Sequence, residues 1–270
     1  MVIFPQCKIN LGLRISGKRY DGFHDIETIF YPVKWNDVVE IIPSDSTGNF
    51  STSGIEIDGN SSSNLCLKAY NLLKQDFSHL PECDIHLHKN IPIGAGLGGG
   101  SADASAVLLL LNQMFELNIS IPQLEKYAAT LGSDCPFFLH NMPMFASGRG
   151  EILSPINVCL EDYAIVLINP GIPINTKWAF STLQLQQKEE YSIKDIIQLP
   201  IESWRGKLKN DFEASIFSAH REIASINKKL SSAGALYSSM SGSGSTVFGI
   251  FEKKINLQEK FPDRYVLHWA

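Results

Sequence analysis

Three groups of residues offer chemistry in this chain. They are the glycines at 94, 96, 98, 99 and 100, the carboxylate of Asp134 in LGSDCPFFL, and the ammonium of Lys8 in KINLGL. Glycine lacks a Cβ and reaches backbone angles closed to other residues, so a glycine run lets a ligand approach the main chain closely. Where such a run feeds a helix, the unpaired N–H groups of the first turn and the positive end of the helix dipole form an anion site. A carboxylate and an ammonium beside that site would orient a hydroxyl and stabilise charge on a transferring phosphoryl group. Each group also has a plainer use: a tight turn for the glycines, a turn cap for Asp134, a solvated strand face for Lys8. For Asp134 and Lys8 residue type alone favours the plainer use. For the glycines it does not, because a turn needs one or two of them.

Known phosphate motifs fit the run poorly. A P-loop needs a lysine and a serine or threonine after its last glycine, and Gly100 is followed by Ser101 with no lysine nearby. Gly94, Gly96 and Gly99 spell G-x-G-x-x-G, but the acid about twenty residues on, Glu116, falls in the same helical pattern as Leu111 and Met114 rather than at the end of a second strand. A protein-kinase glycine loop would come with H-R-D and D-F-G, and neither occurs. The expectation is a nucleotide phosphate held by a fourth arrangement.

The elements that must position these groups are mixed. CKINLGLRI alternates as a strand, with Ile9, Leu11 and Leu13 on one side and Lys8, Asn10 and Gly12 on the other. DVVEIIP, GIEID and DIHLHK are expected to be short strands, and NLCLKAYNLLKQD and IPQLEKYAATLG helices, the second with Pro122 near its start and Gly132 just after it. Ser101 and Asp103 stand where the cap and first-turn acid of the helix after the glycines are expected, and Val107 to Leu111 carries that helix inward. After GRGE the pattern restarts with the strand YAIVLINPG, helical material over 192–231, and the strands ALYSS and STVFGIF on either side of MSGSG. A boundary near residue 150 divides the chain into domains 1–150 and 151–270. Strands and helices intermix without steady βαβ alternation, which predicts an α+β fold in two lobes rather than a doubly wound sheet.

Composition bounds the partners. A chain of 270 residues with 44% hydrophobic content has material for a large core or two lobes. With 23 basic and 28 acidic residues, a net charge of −5 and no basic block, it is not expected to bind nucleic acid or a membrane surface. The five cysteines are scattered and form no C-x-x-C, so they read as reduced thiols. AVLLLL falls far short of the roughly 20 apolar residues of a membrane span, and no charged segment followed by an apolar run opens the chain. A cytoplasmic location is the expectation.

Two further stretches could hold ligands. KRYDGFHDIE turns at Asp21-Gly22 and presents Phe23 and His24, which could stack on and hydrogen-bond a ring, although residue type alone favours Phe23 as an anchor of the loop in the core. CDIHLHK suggests a metal through Cys83, His86 and His88, but alternation turns Ile85 and Leu87 inward and leaves both histidines on a polar face, the simpler arrangement.

Taken together, PIGAGLGGGSADAS, KINLGL, RYDGFHDIET, LGSDCPFFL, GRGE, NDFE and MSGSGSTVF resemble the GHMP small-molecule kinases, from Lys8 to about Phe248. The P-x-x-x-G-L-G loop marks the superfamily, and the D-G-F-H stretch points to a member with a cytidine-diphosphate substrate. The resemblance implies a two-lobe α+β GHMP kinase fold with the active-site cleft between lobes. It implies ATP and Mg²⁺ as cofactors, and phosphorylation of the 2-hydroxyl of the methylerythritol part of a cytidine-diphosphate conjugate, in non-mevalonate isoprenoid precursor biosynthesis. Homoserine- or mevalonate-type kinases, or a nucleotide-binding module without catalysis, are the alternatives.

Residue by residue, the resemblance makes Lys8 and Asp134 catalytic. It places Pro92, Ile93, Gly94, Ala95, Gly96, Leu97, Gly98, Gly99, Gly100, Ser101 and Ala102 on the ATP phosphates, with Asn64 at the same nucleotide. Asn10, Phe23, His24 and Thr176 would contact the substrate, Phe23 and His24 at the cytosine. Relatives commonly carry tyrosine where this chain has Phe23, so stacking is kept and a hydroxyl contact is not. The metal ligands are not legible, and Mg²⁺ enters as a requirement without a site.

Overall fold

The computed structural model describes residues 1–183 and 191–270. The strands and helices follow the apolar periods of the sequence in most places. In chain order they are β1 (Val2–Ile3), β2 (Gln6–Lys18), β3 (His24–Asn36), β4 (Val38–Pro43), β5 (Phe50–Gly54), α1 (Leu65–Asp76), β6 (Cys83–Lys89), α2 (Gly99–Met114) and α3 (Ile121–Leu131). Then come β7 (Met144–Ser147), β8 (Ile152–Pro155), β9 (Ala164–Asn169), α4 (Thr176–Ser181), α5 (Ile193–Ile196), α6 (Glu213–Ala219), α7 (Arg221–Ser232), β10 (Tyr237–Met240), β11 (Val247–Phe251) and β12 (Val266–Trp269). No helix among the described residues is long and apolar enough to cross a membrane.

The chain packs as two compact units. The first comprises Met1–Cys7, Lys34–Ile93 and Gly98–Asn141; the second comprises Lys8–Val33, Gly94–Leu97 and Met142–Ala270. The division of sequence expected near residue 150 falls inside the last of these segments, and the second unit also takes in two pieces of the N-terminal half.

In the first unit a sheet of order β1-β4-β6-β5 is covered by helices. Strand alternation turns Val39 and Ile41 of β4 and Ile85 and Leu87 of β6 inward, paired Val39 to Leu87 and Ile41 to Ile85. They meet Leu73 of α1, Val107, Leu108 and Leu111 of α2, and Leu124 of α3 in one core, where each fully buried side chain is worth about 1.5–3 kcal/mol. The other face of β6 carries His86 and His88, held by Ser51 and Ser53 at 2.8–2.9 Å. The strand expected at GIEID lies earlier, at β5, which pairs parallel to β6 and ends at Gly54. FSTSG has little apolar alternation to announce a strand, whereas Ile57 packs on the core from irregular backbone.

Most of the other two sheets, β2-β3-β7-β8 and β10-β11-β9-β12, lies in the second unit. All six residues of β9 are buried, with β11 and β12 on its flanks, which is why AIVLI is a continuous apolar run. Ile223, Ile226 and Leu230 of α7 pack with Val166, Ile168 and Val247.

Candidate active site

Lys8 is not on a solvated face. It is 3% exposed, since the face of β2 opposite Ile9 and Leu11 is covered as well, and its ammonium lies 4.8 Å from the centroid of the Phe30 ring. Lys8 Nζ donates to Asn10 Oδ1 at 2.7 Å, and Asn10 Nδ2 donates to Thr28 Oγ1 at 3.0 Å. Thr28 in turn donates to the carbonyl of Gly12. Two-residue strand spacing puts Lys8 and Asn10 on one side, and the Thr28 hydroxyl fixes the amide so that its oxygen meets the ammonium.

The start of the glycine run belongs to the same unit. The Lys8 N–H donates to Leu97 O at 2.9 Å, the Thr246 N–H to Ala95 O at 3.2 Å, and Ser241 Oγ to Gly96 O at 2.8 Å. Ser241 Oγ also receives the Asn10 N–H at 3.3 Å. A Cβ on Gly96, whose φ is +77°, would lie 2.0 Å from Ser241 O, so the loop packs backbone to backbone on the second glycine segment. Asn210 of NDFE holds that segment by donating to Met240 O and Gly242 O at 2.7 and 2.8 Å. Thr176 opens α4, its hydroxyl 3.2 Å from that of Ser243.

The rest of the run lies in the first unit, where the expected cap proves different. Gly98, left-handed at φ 69°, is the N-cap of α2 and makes no side-chain capping bond. Ser101 is then the third helical residue and Asp103 the fifth, buried against Lys89 rather than capping. The first-turn N–H groups of Gly99, Gly100 and Ser101 have no intrahelical acceptor, which is the arrangement an anion requires. The helix ends at Met114, and Glu116 follows at φ 48°, outside the helical pattern expected for it and at no strand end. Asn64 caps α1, its Oδ1 accepting the Cys66 N–H at 2.9 Å.

Asp134 precedes a short 3₁₀ turn, Cys135–Leu139, and makes no side-chain capping bond to it. Its segment is fastened to α2, because Ser105 Oγ donates to Cys135 O at 2.7 Å. A Cβ on Gly132 would meet Cys135 Sγ at 3.3 Å and Ser101 Oγ at 3.8 Å, so the Gly132–Cys135 turn lies against the first turn of α2. In the first unit, therefore, Asp134 sits beside the helix start that the glycines form.

Phe23 is not a core anchor: it is 53% exposed, with the Arg149 guanidinium 5.0 Å from its ring centroid. The Asp21-Gly22 turn presents it, Asp21 Oδ1 accepting the Phe23 N–H at 3.1 Å. His24 stacks on Phe180, centroids 4.7 Å apart and planes within 16°. Partial burial, with Lys18 nearby, lowers the His24 imidazole from its ordinary value and so favours the neutral ring, with one donor and one acceptor nitrogen. Phe180 was not among the residues expected at the site, and nothing in the sequence pairs it with His24. Ser241 was not singled out by number, but it belongs to MSGSGSTVF, the second glycine-rich motif that the resemblance sets against the phosphate loop.

Residues 64–142 match the GHMP kinases N terminal domain and residues 193–267 the GHMP kinases C terminal domain. A 4-diphosphocytidyl-2-C-methyl-D-erythritol kinase of Bacteroides thetaiotaomicron is 50% identical over 262 residues, covering 96% of this chain and 95% of the relative. One from Azobacteroides pseudotrichonymphae is 49% identical over 253 residues, covering 94% of each. A crystal structure of 4-(cytidine 5'-diphospho)-2C-methyl-D-erythritol kinase superposes with a TM-score of 0.79 at 30% identity, covering 93% of this chain and 90% of that one.

Proposed function

Because the chain belongs to the GHMP kinase family, we propose that it transfers the γ-phosphoryl group of ATP to the 2-hydroxyl of 4-diphosphocytidyl-2-C-methyl-D-erythritol, a step of isoprenoid precursor biosynthesis. The observation that carries this is similarity at about half identity over nearly the full length to kinases of that name. The exposed Phe23 beside a stacked His24 is the feature a cytosine ring would use.

In the reaction the substrate oxygen bonds to the γ-phosphorus as the bond from that phosphorus to the departing ADP oxygen breaks. Asp134 takes the hydroxyl proton, and the ammonium of Lys8, aimed by Asn10, stabilises negative charge on the phosphoryl oxygens. Backbone N–H groups from Pro92 through Ala102 hold the ATP phosphates, with Gly98 to Ser101 supplying a helix start. Asn64 and Thr176 contribute to the nucleotide and substrate ends, and the neutral imidazole of His24 bonds the cytosine edge while Phe23 stacks on its face.

Among the described residues no three His, Cys, Asp or Glu side chains form a metal cage. The start of α2 carries a hard oxygen, the Ser101 hydroxyl. It suits Mg²⁺, which takes one or two protein oxygens together with waters and phosphate oxygens. Ser101 would hold it, and it would neutralise charge on the phosphates. Incubation with ATP and a panel of alcohols, with and without a cytidine-diphosphate group, tests the assignment. Turnover of the cytidine conjugate alone is expected, whereas equal turnover of homoserine, mevalonate or free methylerythritol would refute it.

A further inference from the structure

Within the first unit lies a charged cluster that the phosphoryl transfer does not use. Lys89, the last residue of β6, is 4% exposed, and its ammonium donates to Asp37 Oδ2 and, at 2.9 Å, to Asp103 Oδ2. Asp37 Oδ1 accepts the backbone N–H groups of Asn90 and Ile91 at 2.6 and 2.8 Å, the two residues leading toward the glycine run. Asp103 belongs to α2, which leaves that run. A Cβ on Gly99 would lie 2.9 Å from Lys89 Nζ, so the ammonium fills the space against the first residue of the helix. One cluster therefore ties together the end of β6, the entry to the glycine run and the helix turn that follows it.

Stability alone accounts for it poorly. Asp103 Oδ1 is buried without a hydrogen-bond partner among the described residues, and burial pushes this carboxyl up to about 7 despite the neighbouring Lys89. A buried ionic group left partly unsatisfied is often matched or bettered by apolar residues of the same volume. A glycine run, by contrast, has more conformational freedom to lose than any other sequence, and fixing its ends beforehand lowers what binding must spend on ordering it.

We infer that Lys89, Asp37 and Asp103 are positioning residues for the phosphate loop, fixing both of its ends so that its N–H groups are arrayed for ATP. They act through Asn90, Ile91 and Gly99. This rests on the loop binding ATP, as proposed above.

The test compares Asp103→Ala, which leaves Lys89 paired with Asp37 but unties α2, with Asp103→Asn, which keeps an oxygen for the ammonium. Calorimetry with ATP should show the alanine variant weakened about tenfold, with the KM for ATP raised alike, as expected for the loss of one charge-assisted bond. Its kcat at saturating ATP and its KM for the cytidine conjugate should change little, and the asparagine variant should recover most of the affinity. Should Asp103→Ala not fold, Asp103→Ser, whose hydroxyl can bond its own helix backbone, replaces it with the same expectation. Wild-type ATP affinity in the alanine or serine variant, with only a lower Tm, would overturn the inference, as would an asparagine variant no better than alanine. Failure of the wild-type protein to bind ATP would instead overturn the assignment beneath it.

Discussion

Replacing Gly96 and Gly94 by alanine, one at a time, separates a glycine needed for close packing from one needed only for its backbone angle. Both have left-handed φ, +77° and +63°, and alanine there costs about 1–2 kcal/mol. At Gly94 that is the whole cost, since no atom lies within 4 Å of an added Cβ. At Gly96 the added carbon would sit 2.0 Å from Ser241 O and 3.1 Å from Gly244 O, both backbone atoms that cannot rotate away. Separating the two segments by more than an ångström adds an overpacking cost of about 1–3 kcal/mol. It also breaks the 2.8 Å bond from Ser241 Oγ to Gly96 O, worth about 0.5–1.5 kcal/mol. Urea denaturation should therefore show Gly96→Ala less stable than wild type by about 2.5–6.5 kcal/mol and Gly94→Ala by about 1–2. Calorimetry should show ATP affinity falling further in the first than in the second. Equal stability losses in the two variants would refute the close approach of Gly96 to Ser241.

Asp134→Asn should fold and bind ATP while losing about 10² or more in kcat, the scale of removing a positioned acid–base group; turnover within a few-fold of wild type would remove Asp134 from the mechanism. Phe23→Ala should lower kcat/KM for the cytidine conjugate by about 5- to 150-fold, from a stacking worth roughly 1–3 kcal/mol, and leave the KM for ATP unchanged. Equal changes for both substrates would remove the ring from base recognition. Because the folded-state carboxyl of Asp103 is raised from 3.8 to about 7, the unfolded chain releases that proton first as pH rises. Its contribution to stability is complete below the unfolded value and lost as pH climbs to about 7. The Tm of Asp103→Asn should gain on that of wild type across this window and level off above it, and a constant difference would refute the shift.

The sequence by itself determined the elements and the family. Strand alternation located β2, β4 and β6, and 3.6-residue spacing located α1 and α3, because burial of one face leaves its period in the residues, while short apolar runs located β9 and β11, which are buried throughout. The glycine run announced a helix start, although the cap expected at Ser101 fell to Gly98, and Lys8 and Asn10 were legible as neighbours on one strand face. What covers a face is not written in its period, so only the tertiary structure showed Lys8 buried over Phe30 with Asn10 aiming its ammonium. Local residue type also misjudged Asp103, an acid near a helix start that serves Lys89 across the core of its unit rather than its own helix end. Ser241 and Gly96 are 145 positions apart, and Phe180 lies far down the chain from His24. Contacts of that range are set by how strands order within a sheet and helices fall against it, and no local rule of composition or spacing encodes them.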